Sequence, residues 1–486
     1  MTTPNGSTSL TLLTDFYELS MMQGYLLQRE NPNVVFDMFF RRQPFGGGFA
    51  VFAGLENLLK YIRSLSFSQE DLAYLESLGA FHREFLDYLA GFRFTGDIWA
   101  MDEGTLAFPG EPLVRAHGSL METQLIESAL LAIINFQTLI ATKSARVRQA
   151  ASGGTVIEFG LRRAQGIDGA LSASRAAFIG GAHATSNTLA GKHFGIPVRG
   201  TMAHSWVMAF SSEREAFEKY AETYPDGALL LIDTYDTLGS GIDNAIAIGR
   251  KLKEAGHANF GVRLDSGDLE YLSKKVRQRL DDAGLADARI VASNELDEHI
   301  IHQLITQGAP IDIWGVGTNL VTAGGDPALT GVYKIAAREK GGHYIPTIKV
   351  SNNPEKTTNP GVKQVWRFTN GGGSPLADLI CLDDEEPSVG RPHAFHHPSG
   401  DYRKFVLTEY AGITPLLGLK MKAGAVVGDI PSITAIRSKA CNELDLLDDT
   451  YKRLINPHVY KVSLSDKLAA MKTLLVKENL ADGRHR

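Results

Sequence analysis

The sequence predicts an α/β protein. Its centre is a parallel α/β barrel, TIM-like in regular or irregular form, joined to an additional α+β domain from the N-terminal region and a β-rich C-terminal region. Three observations predict this. Short β-type runs recur through the middle of the chain at spacings of about 20–30 residues, the size of a strand–helix unit. The stretches between them have helical periodicity: in "DLEYLSKKVRQRLDDAGL", Leu269, Leu272, Val276 and Leu280 share one face, with Asp268 at the start and Gly284 near the end. No strand-to-helix GxGxxG fingerprint is present, which disfavours an open dinucleotide-binding sheet.

Taken in order, residues 1–125 mix helical pieces such as "DLAYLESLGAFHREFLDYLAGF" with β-type pieces such as "FAVFAG", "GDIWAMDEG" and "EPLVRAHG". The apolar stretch "SALLAIINFQTLIAT" (128–142) contains Asn and Gln and is shorter than the roughly 18 apolar residues that span a bilayer, so it reads as a buried helix. Lys143, Arg146 and Arg148 follow at its C-terminal end, where the helix dipole favours cations. The β-type runs are "GTVIEFG" (154–160), "AAFIGGA" (176–182), "IPVRGTM" (196–202), "ALLLIDT" (228–234), "NFGVRLD" (259–265), "ARIVASN" (288–294) and "IDIWGVGT" (311–318), with "GVYKIAA" (331–337) a candidate eighth. Buried apolar strands alternating with helices imply a parallel sheet. After about residue 340, "YIPTIKVSNN", "KQVWRFTNGGGSPLADLICL" and "YRKFVLTEY" read as strands with turns at Asn-Asn and Gly-Gly-Gly, and the last ~40 residues read as helical. The expected domains are 1–125 (α+β), 126–340 (barrel) and 341–486 (β-rich with a helical tail).

Composition narrows the function. The chain has 486 residues, 44% hydrophobic and 21% charged, with a formal net charge of −6. No basic excess points to nucleic acid. No membrane span is expected. The two cysteines, Cys381 and Cys441, exclude a disulfide framework or a four-cysteine zinc site, and they suit a reducing cytoplasm. The first twenty residues lack a basic region followed by an apolar one, so no signal peptide is expected.

A parallel barrel builds its active site at the C-terminal ends of its strands. Those ends carry Phe159 with Arg162, Gly180-Gly181, Thr201 with His204, Asp233 with Asp236, Arg263 with Asp265 and Ser266, Asn294, and Gly315, Gly317 and Thr318. That set is more polar than a core requires. Asp265 and Asp268 also have the simpler reading of helix caps. Arg263 lies within an apolar strand, where arginine is rarely buried without a partner: Asp265 or an anionic ligand. "GVGTNLVTAGG" (315–325) offers a glycine-rich turn whose backbone N–H groups can approach phosphate. His204 lacks the companions of a zinc ligand. No GxSxG elbow makes it part of a serine triad, and no GxxxxGK[ST] loop signals a P-loop. A histidine on a phosphate-lined rim can itself accept a phosphoryl group.

The motifs "LLTDFYELSMMQGY" (12–25), "FFRRQPFGGGFAVFAGLE" (39–56), "EFGLRRAQG" (158–166), "GGAHATSN" (180–187), "GTMAHSW" (200–206), "LIDTYDT" (231–237), "VRLDSGDL" (262–269), "GVGTNLVT" (315–322) and "KVSNNPEKTTNPGVKQVWR" (349–367) occur in one order over about residues 10–370. With them the chain resembles the nicotinate phosphoribosyltransferase family. The resemblance implies formation of nicotinate mononucleotide and pyrophosphate from nicotinate and 5-phosphoribosyl 1-pyrophosphate, in NAD biosynthesis and salvage. It further implies ATP as co-substrate acting through a phosphohistidine, Mg2+ travelling with pyrophosphate, and a homodimer with a shared site. By the same resemblance His204 carries the phosphoryl group and Thr201 contacts nicotinate. Arg263 pairs with the nicotinate carboxylate, and Phe159 stacks on the pyridine, with Tyr17 on its other face from a second subunit. Arg162, Asp265 and Thr318 hold the ribose and phosphates, with Asp233 and Gly317 beside them; His204 and Asp265 are the catalytic pair. The layout of "LLLIDTYDTLGSG" suggests a ribose-phosphate loop, and Lys349, Lys356 and Lys363 a lysine-rich turn for phosphate or a solvated turn. Ala182 and His183 stand where relatives often have an acid, which fits a carboxylate substrate. Rival readings are a quinolinate phosphoribosyltransferase, an aldolase-like phosphate barrel, for which no strand end offers a Schiff-base lysine, and a non-catalytic binding protein.

Overall fold

A computed structural model describes residues 9–482 except 258, 352, 354, 355 and 400–403. The chain divides into two compact units, 1–139 with 328–486, and 140–327. The dividing point at 139/140 falls inside the long helix Glu127–Ala150, which contains the expected apolar stretch.

The 140–327 unit is a curled, parallel half-barrel sheet. Its six strands run Ala184–Thr185, Thr155–Glu158, Ile313–Val316, Arg289–Ala292, Phe260–Leu264 and Ala228–Leu231 across the sheet. Every pairing is parallel. Five of the seven expected runs are therefore strands, and most of their apolar residues are buried, as a sheet covered on both faces requires. The other two are not. "AAFIGGA" is the end of the helix Gly166–Ile179. Ala173, Ala176, Ala177, Phe178 and Ile179 are all buried there, so no polar stripe shows the helical period and the run reads like a strand. "IPVRGTM" makes only one bridge, Thr185 to Val198, because Pro197 has no N–H to give and the residues beyond are open to solvent. The two-residue strand Ala184–Thr185 takes the neighbouring place instead. The candidate eighth strand is also reassigned: Gly331–Lys340 belongs to the other unit and pairs antiparallel with Asn33–Phe40.

Lys143 and Arg146 do not sit at a helix end. The helix continues to Ala150, and both cations are buried against Glu298, at 2.6 and 2.9 Å. The helix Leu269–Asp282 behaves as expected, with the Asp268 side chain accepting the N–H of Tyr271 at its start.

The other unit carries three sheets. A seven-stranded antiparallel sheet joins Asn33–Phe40, Asp97–Ala100 and Val114–Ser119 from the front of the chain to Gly331–Lys340, His343–Pro346, Gly418–Lys422 and Ala425–Val426 from its later part. A six-stranded sheet is built from Lys363–Thr369, Pro375–Leu382, His393–His396, Lys404–Leu407, Gly412–Pro415 and Val462–Leu464. Ala50–Val51 pairs with Leu106–Ala107. Lys363 is not part of a phosphate-reaching turn. It is buried and donates to Asp37 at 2.7 Å and to the carbonyls of Asn359 and Gly361 at 2.8 and 2.6 Å. Residues 352, 354 and 355 of the lysine-rich stretch lie outside the described residues. Among the described residues no helix is long and apolar enough to cross a membrane.

Candidate active site

The C-terminal ends of the parallel strands surround one cavity of about 440 Å³. The turn after Thr155–Glu158 supplies Phe159 and Arg162 to its wall. The Phe159 ring is seated by a glycine: a methyl at residue 315 would lie 2.6 Å from it, so only Gly315 leaves room. Beneath the turn, Glu158 is buried, and its carboxylate accepts from the N–H of Gly160 and from the hydroxyls of Ser174 and Thr185, the latter two at 2.9 and 2.5 Å. The segment before the short helix His204–Met208 brings Thr201 and His204 to the cavity. The Thr201 hydroxyl donates to the carbonyl of Leu229 at 3.0 Å, which ties this irregular segment to the sheet.

His204 and Asp233 face each other, with Nε2 3.3 Å from Oδ1. The histidine is 40% exposed and the aspartate side chain 1%, so Asp233 is an orienting group behind a reachable imidazole. The other oxygen of Asp233 is taken by the N–H of Asp265 at 2.8 Å and the hydroxyl of Ser266 at 2.6 Å. Asp265 in turn accepts from Ser293 at 2.5 Å. Arg263 donates to the carbonyl of Met202 at 3.2 Å and lies 3.7 Å from Asp265, but its buried Nε has no partner. Burial pushes this guanidinium below its ordinary pKa, while Asp265 and Asp233 pull it back up. A buried arginine left partly unsatisfied in a cavity wall calls for an anion.

On the far wall, Gly317 and Thr318 follow Ile313–Val316, and the Thr318 hydroxyl donates to Glu295 at 3.3 Å. Asn294, beside it, has a φ of +116°, a strained conformation for a non-glycine residue of the kind that gathers at ligand sites.

Eight of the ten residues to which the resemblance gives a place in the site line this cavity: Phe159, Arg162, Thr201, His204, Arg263, Asp265, Gly317 and Thr318. Asp233 is bonded to its wall through His204 and Ser266. Tyr17 lies in the helix Phe16–Leu27 of the other unit, 49% exposed. Asp236 is not among the residues lining the cavity, and its carboxylate accepts the N–H of Gly239 at 3.0 Å. His183 is engaged with the backbone of Val156 at 3.1 Å. Sequence reasoning missed Glu158, Ser293 and Glu295. Glu158 had a legible signal, a charged residue closing an apolar run; Ser293 and Glu295 had none.

A parallel sheet whose strand ends bring Phe159 and an incompletely partnered arginine to one cavity marks the class: an α/β protein with a candidate anion site at those ends. The comparisons with known proteins make this particular. The family model "Nicotinate phosphoribosyltransferase (NAPRTase) family" matches residues 155–371, the model of its N-terminal domain 12–135 and that of its C-terminal domain 362–472. The nicotinate phosphoribosyltransferase of Bacillus subtilis is 45% identical over 94% of this chain and 93% of its own length. The mouse enzyme of the same name is 35% identical over 95% of each. The crystal structure of human nicotinic acid phosphoribosyltransferase superposes with a TM-score of 0.83 at 32% identity, covering 95% of this chain and 99% of the human one. A nicotinate-nucleotide pyrophosphorylase from Pyrococcus furiosus shares the fold, with a TM-score of 0.71 at 22% identity over 92% and 99% of the two chains. The chain belongs to the nicotinate phosphoribosyltransferase family.

Proposed function

We propose that this chain transfers the 5-phosphoribosyl group from 5-phosphoribosyl 1-pyrophosphate to the ring nitrogen of nicotinate, releasing pyrophosphate, as a step of NAD biosynthesis and salvage. The observation that carries the reading is Arg263, largely buried and short of partners, in a cavity that Phe159 also lines. Nicotinate is a flat aromatic ring with one carboxylate. Phe159 suits the ring and the planar fork of Arg263 suits the carboxylate, and the Thr201 hydroxyl adds a polar contact. The bond from C1 of the ribose to pyrophosphate breaks, positive charge develops on the ribose, and the pyridine nitrogen attacks C1. Asp265, one of two carboxylates on the cavity wall with Glu295, stabilises that charge. Arg162, Gly317 and Thr318 hold the phosphates.

ATP hydrolysis is coupled through His204. Asp233 accepts the Nε2 proton, which leaves the Nδ1 lone pair to attack the γ-phosphorus of ATP while its bond to the ADP oxygen breaks. The phosphorylated rim binds substrates differently, and that difference links ATP cleavage to transfer. Magnesium would travel with pyrophosphate, and Asp265 and Glu295 are the carboxylates on the cavity wall that could meet it. It would offset phosphate charge. Tyr17, half exposed, would cover the other pyridine face from a second copy of the chain in a homodimer. The two free thiols, Cys381 and Cys441, suit the cytoplasm.

The test is product formation from nicotinate, 5-phosphoribosyl 1-pyrophosphate and Mg2+, with and without ATP, for the wild type and His204→Ala. Product that ATP enhances in the wild type and not in the variant supports both halves. Product indifferent to ATP and to His204 removes the phosphohistidine and leaves the transfer. No product from nicotinate ends the reading.

A further inference from the structure

We propose that Glu158, which touches no cavity itself, is a positioning residue that sets affinity for the aromatic substrate; the assignment rests on the transferase reading above. Glu158 is 1% exposed and closes the strand Thr155–Glu158. One carboxylate oxygen accepts the N–H of Gly160, which fixes the chain immediately after Phe159. The other accepts from Thr185 at 2.5 Å and from Ser174 at 2.9 Å. The Thr185 hydroxyl also accepts the N–H of Asn187 at 2.9 Å, so it brackets Ser186, which lines the cavity. One buried group thus pins two neighbouring pieces of wall, the turn that carries the Phe159 ring and the turn that carries Ser186.

The chemistry explains why the group is a carboxylate. Three donors converge on it, and a carboxylate accepts without donating. A glutamine of the same size would turn an NH₂ group toward donors and push one of them away. The turn has little slack elsewhere. The N–H of Phe159 is held by the carbonyl of Val316 at 2.8 Å, and a methyl on residue 160 would lie 2.3 Å from the Val321 side chain. A shift at Glu158 therefore passes into the angle of the Phe159 ring. Stacking is sensitive to that angle, whereas the flexible Arg162 side chain can follow its phosphate.

The experiment is steady-state kinetics and thermal melting of the full chain as wild type, Glu158→Gln, Thr185→Val and Thr185→Ser. For Glu158→Gln the expected result is a nicotinate KM raised about tenfold, with kcat and the KM for phosphoribosyl pyrophosphate each within about threefold. Thr185→Val removes one donor and raises the nicotinate KM by a smaller factor. Thr185→Ser keeps the hydroxyl and restores wild-type affinity. A merely structural carboxylate would lower kcat and Tm together and leave the nicotinate KM within about twofold, and that result overturns the proposal. Should Glu158→Gln fail to fold, the Thr185 pair decides: serine no better than valine is equally fatal. Absence of product from the wild type itself is a different failure, that of the transferase reading, and it removes this assignment with it.

Discussion

Two arginines, one in each unit, show what separates a binding group from a structural one. Arg367, in the unit of residues 1–139 and 328–486, has a partner at every nitrogen. Its Nε and Nη2 reach Asp378 at 3.0 and 2.6 Å, Nη2 also reaches the carbonyl of Leu106 at 2.8 Å, and Nη1 reaches Glu443 at 3.3 Å. Tyr460 donates to the same Asp378 at 3.0 Å. Burial opposes the charge on Arg367, but Asp378, together with Tyr460 and Glu111, more than offsets it, and the guanidinium is held well above its ordinary pKa. Arg263, in the 140–327 unit, is also largely buried, yet its Nε is unpartnered, Asp265 stands off at 3.7 Å and its pKa is pushed down. The sequence presents both as an arginine inside an apolar strand. The difference is whether the protein itself completes the hydrogen-bond set. Where it does, the residue holds the fold; where it does not, a ligand is left to complete it.

The sharpest way to break this contrast is to remove each arginine in turn. Arg367→Met leaves Asp378, 0% exposed, without its cation, and should cost about 3–5 kcal/mol in urea unfolding. A loss below about 1 kcal/mol would show that this cluster is not what holds that region. Arg263→Lys should leave the unfolding midpoint nearly in place, because little inside the protein depends on it. Under the proposed reading it should raise the nicotinate KM by about 10–100-fold, or ~1.4–2.7 kcal/mol, since an ammonium cannot reproduce the bidentate fork. An unchanged KM, or a collapse in stability, would reverse the two assignments.

A smaller effect sharpens the comparison from the other side, because the first unit has its own incompletely satisfied group. Glu18 is buried; Gln124 donates to one of its oxygens at 2.6 Å and the other has no partner. Burial raises its carboxyl from 4.5 to about 7, against the neighbouring Tyr17 hydroxyl and the Gln124 hydrogen bond, which lower it. Between those two values the folded state holds more protons than the unfolded state, so this stabilisation is full below pH 4.5 and is lost as pH rises through about 7. The loss should be about 1–3 kcal/mol, read by urea unfolding at pH 5 and pH 8. Glu18→Gln should flatten that slope, and a variant that keeps the full slope would assign it to another group.

Much of the site was legible because strand ends announce themselves. Phe159, Thr201, His204, Arg263, Asp265, Gly317 and Thr318 were found by asking which residues close or follow each apolar run, and they share one cavity. The same procedure misassigned residues 176–182, since a helix buried on all sides has no polar stripe to reveal its period. It also placed Gly331–Lys340 beside the parallel strands, because a β-type run does not state its partner or direction. Glu158 went unread for a related cause: its donors Ser174 and Thr185 come from a helix and a strand further along the chain.

The order of residues dictates local features. It set the alternation of strand and helix between residues 154 and 318, the cap at Asp268, and the kinds of side chain delivered to the strand ends. These follow from backbone periodicity and from hydrogen bonds within a few residues. Packing settles which groups are satisfied: that every nitrogen of Arg367 has a partner and Nε of Arg263 has none, that Asp233 faces His204, that Lys363 is spent on Asp37 rather than on phosphate. A hydrogen bond needs two groups in one place, and residues far apart in the chain are brought there only by the packing of whole elements.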